Sequence, residues 1–124
     1  MALGRGSAMA VLVVFVLVVL SSEWADAATY TVGDRGGWTF NVAGWPKGKT
    51  FRAGDTLVFN YGSAAHNVVA VNNVGYQKCS TTPGNARVYQ TGNDKIRLAK
   101  GQNFFICNFP GHCQSGMKVA ITAV

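Results

Sequence analysis

Apolar residues are distributed along this chain in two ways. From Ala8 to Leu20 they form an unbroken run, preceded by Arg5 and followed by the small-residue sequence Ala25-Asp26-Ala27. That run of 13 residues is too short for a membrane span of about 20, whereas a basic start, an apolar centre and an A-x-A site make a secretory signal. The pattern predicts a signal peptide over residues 1–27 and one mature domain over residues 28–124. Beyond Ala27 the apolar positions come in short clusters separated by turn residues, which is a strand pattern and not a helical one.

Thr29 to Val32 opens the mature chain as a β-rich run and stops at Gly33-Asp34-Arg35-Gly36-Gly37. Leu57, Phe59 and Tyr61 alternate within Thr56 to Tyr61, and His66 to Val71 is β-branched and apolar. Ile96 to Ala99, Asn103 to Asn108 and Lys118 to Val124 supply further strands, the last with Val119, Ile121 and Ala123 on one face. Turn signals fall at Tyr61-Gly62-Ser63, Pro83-Gly84-Asn85, Gly92-Asn93-Asp94, Lys100-Gly101-Gln102 and Pro110-Gly111. Asn73 to Ser80 has room for one helical turn. The fold class this predicts is all-β: an antiparallel sandwich or barrel of about seven to eight short strands, with at most one or two short helical turns.

Residues 28–124 hold enough chain for one core and no second. There is no internal repeat and no Pro/Ser-rich linker, and the segment ending at Val124 has neither the spacer nor the hydrophobic tail of a lipid-anchor signal. A free, soluble monomer without a membrane anchor is therefore expected. Charge bears on partners more than on fold. Without the signal, ten Lys and Arg stand against Asp34, Asp55 and Asp94, a formal charge of +7. The cations are scattered, and no nucleic-acid motif accompanies them. The expected partners are an acidic protein or a cell-wall polyanion, and not nucleic acid.

The residues capable of metal or redox chemistry are few. The mature part has two histidines, three cysteines and one methionine, and most of them lie in the run Cys107-Asn-Phe-Pro-Gly-His112-Cys113-Gln-Ser-Gly-Met117. Three cysteines outside the cell leave one unpaired when two are bridged. Cys107 ends a strand, where a side chain is fixed and half buried. Cys79 lies in the polar loop Gln77-Lys78-Cys79-Ser80, and Cys113 follows His112 so that its side chain can leave the opposite side of the backbone. These placements assign the disulfide to Cys79 and Cys113, leaving Cys107 as a thiol that metal binding would protect.

Each remaining residue alone has an ordinary explanation: Cys107 as core packing, His66 as a strand imidazole, His112 as a turn imidazole, Met117 as a core filler. Together they form a set. Cys107, His112 and Met117 can converge from one loop bent by Pro110-Gly111 and freed by Gly116, and His66 can supply the fourth ligand. Two imidazoles, a thiolate and a distant thioether are the donors of a blue-copper electron-transfer site; zinc would recruit a second Cys or a third His. One copper ion per chain, cycling between Cu(I) and Cu(II), is the implied cofactor. Asn67 is the expected supporting residue, tying the His66 strand to the Cys107 loop by hydrogen bonds. His112, on its Pro-Gly turn, is the expected exposed edge.

Several blocks carry a family resemblance: Tyr30-Thr-Val-Gly-Asp34 with Gly37-Trp38, Phe51-Arg-Ala-Gly-Asp55, Ala65-His66-Asn67-Val68, and Phe104-Phe-Ile-Cys107 through Met117-Lys118. They resemble the phytocyanins, a plant branch of the cupredoxins, over the whole mature chain. The resemblance implies a Greek-key cupredoxin sandwich, copper ligands His66, Cys107, His112 and Met117, and the Cys79–Cys113 bridge. Met117 stands where stellacyanins place Gln.

These readings imply a secreted carrier of single electrons, in the apoplast or cell wall. A copper oxidase would need further histidines for an oxygen-reducing cluster, and both mature histidines are already used, so an enzyme is not expected. The alternative is an extracellular signalling or wall-interaction protein acting through its basic surface, since the resemblance extends to proteins associated with reproductive tissue.

Overall fold

The computed structural model describes residues 27–81 and 86–124. The predicted signal peptide, Ala27 excepted, and the predicted turn Pro83-Gly84-Asn85 lie outside the described residues. The elements are β1 (Thr29–Thr31), β2 (Thr56–Asn60), β3 (Val68–Val71), α1 (Asn73–Lys78), β4 (Arg87–Tyr89), β5 (Asn93–Arg97), β6 (Gly101–Ile106) and β7 (Lys118–Ala123), with 3-10 turns at Asp34–Gly36 and Cys113–Ser115. One sheet runs β1-β2-β5 and the other β4-β3-β6-β7. The fold is thus mostly β, as the short alternating clusters imply.

Most pairs are antiparallel, but β1 departs from that expectation. It runs parallel to β2, with Thr29 opposite Thr56, and Phe51 makes a second parallel bridge to Ala123. The physical reason is the long connection from residue 32 to residue 55, which carries the chain back to the start of the sheet as a parallel pair requires.

Three local differences stand out. The strand expected at Ile96–Ala99 lies at Asn93–Arg97, because only Gly92 of the expected turn takes a left-handed φ, of 82°. Asp94 then turns inward, 4% exposed, where it accepts hydrogen bonds from Tyr61 Oη and Thr91 Oγ1. Strand β6 begins two residues earlier than expected, with Gly101 opposite Ala123. Strand β4 had no sequence signal, since Arg87 and Val88 are both exposed and an edge strand needs no apolar alternation.

The core contains Trp38, Phe59, Leu57, Leu98 and Ile106, all buried. Trp38 and Phe59 meet edge to face at 5.0 Å, and Phe59 meets Phe105 across the two sheets at 5.3 Å. Helix α1 begins at Asn72, whose side chain accepts the Gly75 N–H at 2.8 Å, and ends at Cys79 in the left-handed conformation. Gly75 is required there: a Cβ would lie 2.6 Å from the Ser80 carbonyl oxygen. The helix end thereby holds Cys79 at the position from which its bridge starts.

Candidate metal centre

Cys107 lies one residue beyond β6. Its N–H donates to the Met117 carbonyl at 3.1 Å, extending the β6–β7 ladder by one bond and holding the two residues together. The chain between them folds tightly on itself. The His112 N–H donates to Phe109 O at 3.1 Å, and the Met117 N–H donates to His112 O at 3.1 Å. Gly116, at φ 83°, closes the loop against a neighbouring segment, with Asn41 N–H bonded to Ser115 O and Val42 N–H to Gly116 O. A Cβ on Gly116 would lie 3.1 Å from Asn41 backbone atoms, so this contact also depends on glycine.

His66 precedes β3 by two residues, so it sits in the entering loop and not in the strand. Its backbone N–H and that of Ala65 both donate to Gly62 O. The next residue, Asn67, is 5% exposed and bonds in three directions. Its carbonyl accepts from Trp38 Nε1 at 2.8 Å, its Nδ2 donates to Asn108 Oδ1 at 2.6 Å, and its Oδ1 accepts the Asn108 N–H at 3.0 Å. Asn67 thus joins the His66 segment to the Cys107 segment by hydrogen bonds.

These supports bring side chains together from segments 46 residues apart. His66 Nδ1 and His112 Nδ1 face each other at 3.0 Å, and Cys107 Sγ is 3.5 Å from His112 Nδ1. The three ligand atoms all lie within 4.8 Å of one another. Cys107 is fully buried and is the free cysteine, and Met117, also fully buried, is held opposite it by the ladder bond. Both imidazoles are half-buried, so His112 is not singled out as the exposed edge. Burial, and next the proximity of His112, hold the His66 imidazole below the usual histidine range. That keeps the ring neutral, with a lone pair to donate.

Aromatic rings complete the surroundings. Phe40, 41% exposed, meets His112 at 4.9 Å and His66 at 5.6 Å, and Phe109 meets His112 at 5.6 Å. Sequence reasoning missed Phe40 and Asn108, and it used Trp38 only as a family mark. Phe40 had a faint signal, two residues after that mark. Cys79 and Cys113 are bridged, with Cα atoms 5.6 Å apart, and so fasten the residue next to His112 to the end of α1.

The sequence profile of the plastocyanin-like domain matches residues 38–117, which include His66 and the whole Cys107 to Met117 run. The chain belongs to the plastocyanin-like, or phytocyanin, family. It is 56% identical to a basic blue protein of Arabidopsis thaliana, across all of both chains, and 56% identical to a chemocyanin of Lilium longiflorum, across 99% of each. Its fold matches the solved structure of cucumber basic protein, described as a blue copper protein, with a TM-score of 0.75 and 61% identity over 77% of this chain and 99% of that one.

The donor set of this phytocyanin chain fits copper. Two neutral imidazoles cannot both donate a proton across one Nδ1–Nδ1 contact of 3.0 Å, whereas a cation that accepts nitrogen and sulfur lone pairs satisfies both rings and the buried thiol. Water is kept from the sulfur by burial.

Proposed function

We propose that this phytocyanin is secreted as residues 28–124, binds one copper ion through His66, Cys107, His112 and Met117, and carries single electrons in the apoplast or cell wall without acting as an enzyme. The observation that carries the reading is the convergence of a buried free thiol and two facing imidazole nitrogens within 4.8 Å. Copper held by His66, Cys107, His112 and Met117 would supply a one-electron couple between Cu(I) and Cu(II), and a donor set of two imidazoles, a thiolate and a thioether is that of electron-transfer sites.

The chain's own part is to keep the donors fixed while charge changes. The Cys107–Met117 ladder bond, the His112–Met117 backbone bond and the Asn67–Asn108 pair all resist rearrangement around the site. The imidazole edges, half-exposed and bordered by Phe40, offer a redox partner a place of approach that needs no substrate pocket. Both mature histidines are committed to this site, which leaves none for an oxygen-reducing cluster.

Among the mature Lys and Arg residues, all but Lys118 are exposed. That surface suits an acidic protein or wall polyanion, and it also supports the second reading, a signalling or wall-interaction protein in which copper is structural or sensory. The test is electron exchange. Copper-loaded protein should accept and return one electron per chain with small inorganic redox reagents; loaded protein that cannot be cycled would sink the carrier reading.

A further inference from the structure

Asp55 is 2% exposed, and both of its oxygens accept hydrogen bonds from backbone nitrogen. Oδ2 accepts the Arg52 N–H at 2.8 Å, a local bond within the turn that leads into β2. Oδ1 accepts from Ala28 N at 2.9 Å, a bond that spans 27 residues. Ala28 is also fixed from its other side, since its carbonyl accepts the Thr56 N–H at 2.9 Å. The carboxylate therefore meets the backbone at the point where β1 begins.

Ala28 follows directly on Ala25-Asp26-Ala27, the small-residue site read above as the end of a secretory signal. We propose that Asp55 is the receptor for the α-ammonium group of Ala28, which is created when the chain is cut between Ala27 and Ala28. The proposal rests on the secretion reading and adds to it a built site for the new terminus. The cut is a hydrolysis by a signal-removing protease: water adds across the Ala27–Ala28 amide, Ala27 leaves as a carboxylate that keeps the water oxygen, and the Ala28 nitrogen retains the electron pair of the broken C–N bond and takes up both protons of the water, becoming an ammonium.

A neutral N–H donor to Asp55 is thereby replaced by a cationic one. The bond to the carboxylate then becomes an ion pair, and the Coulomb attraction this adds counts most where the carboxylate is buried. The gain falls on a short edge strand, because β1 has only three residues and borders its sheet next to a terminus that would otherwise fray. Arg52 lines the same surface cavity as Asp55, so the amine joins one cation already at that surface. Position is specified as well as charge. A cut one residue earlier leaves an amide nitrogen at Asp55 and puts the charge on exposed Ala27, and a cut one residue later removes the donor.

The experiment expresses the full chain in a secreting plant cell line and compares the secreted protein before and after selective acetylation of its α-amine. Intact mass should show a chain beginning at Ala28. Acetylation should lower the Tm by about 4 °C or more, the scale of one lost interaction in a domain of this size, and by less than half as much in Asp55→Asn. Because Asp55→Asn can fail to fold, the acylation rate of the wild-type amine is also measured. It should be several-fold slower in the folded than in the denatured protein.

An unchanged Tm after acetylation, an equal loss in folded Asp55→Asn, or equal acylation rates would each overturn the ion pair. Secreted protein beginning at another residue would overturn the assigned cut alone. Protein kept in the cell with its first 27 residues attached would overturn the secretion reading itself.

Discussion

Asn67 and Asn108 hold each other through two hydrogen bonds, one from side chain to side chain and one from the Asn108 backbone N–H to the Asn67 side chain. Each residue directly follows a candidate copper ligand in the chain, His66 or Cys107. The pair therefore sets the spacing between two segments that come from different parts of the sequence.

Asn67→Ala removes both bonds and leaves the Asn108 N–H without its acceptor in the protein. The expected cost is about 1–3 kcal/mol, read as a lower midpoint in denaturant. The same variant should lose copper faster to a chelator, since His66 and Cys107 are no longer tied. Unchanged stability and unchanged copper release would show that the pair has no role in either.

The Cys79–Cys113 bridge closes a separation of 34 residues. Replacing both cysteines by serine should destabilise the domain by about 2–5 kcal/mol, and thermal unfolding measures it directly. A double variant as stable as the parent would contradict the staple's importance in so small a core.

Tyr61 donates its hydroxyl proton to the Asp94 carboxylate. Burial first, and then that hydrogen bond, push its pKa from 10.0 up to about 12. Between those two values the unfolded chain has released the proton and the folded chain has not, so stability falls as pH rises through that window and is complete below it. Tyr61→Phe should be less stable at about pH 8 and should lose less stability between about pH 10 and 12. A parallel decline in both proteins would show that Tyr61 does not contribute to alkaline unfolding.

Met117→Gln should keep the thiolate colour of the copper-loaded protein and lower its reduction potential, because an oxygen donor favours Cu(II). Voltammetry on both proteins decides it. An unchanged potential would show that Met117 is not a copper ligand.

The strands legible in the sequence were those with buried apolar side chains. Val119, Ile121 and Ala123 on β7 alternate with less buried residues, as in a half-buried strand, whereas Leu57, Val58 and Phe59 on β2 are buried in succession. Strand β4 was illegible because its residues are mainly exposed, and the parallel β1–β2 pair because pairing direction depends on where a long connection returns. The ligand candidates were legible from chemistry, since a mature chain with so few His, Cys and Met residues leaves little choice. Phe40 was harder to find: an exposed aromatic has no sequence signature until its neighbours are placed.

The central claim is that Cys107 acts as a thiolate ligand to copper beside His66 and His112. Titration of metal-free protein with Cu(II), followed by visible absorption, tests it most directly. The account predicts an intense blue thiolate-to-copper band that saturates at one copper per chain and is absent in Cys107→Ser. Tight copper binding by the parent protein with no such band would contradict it.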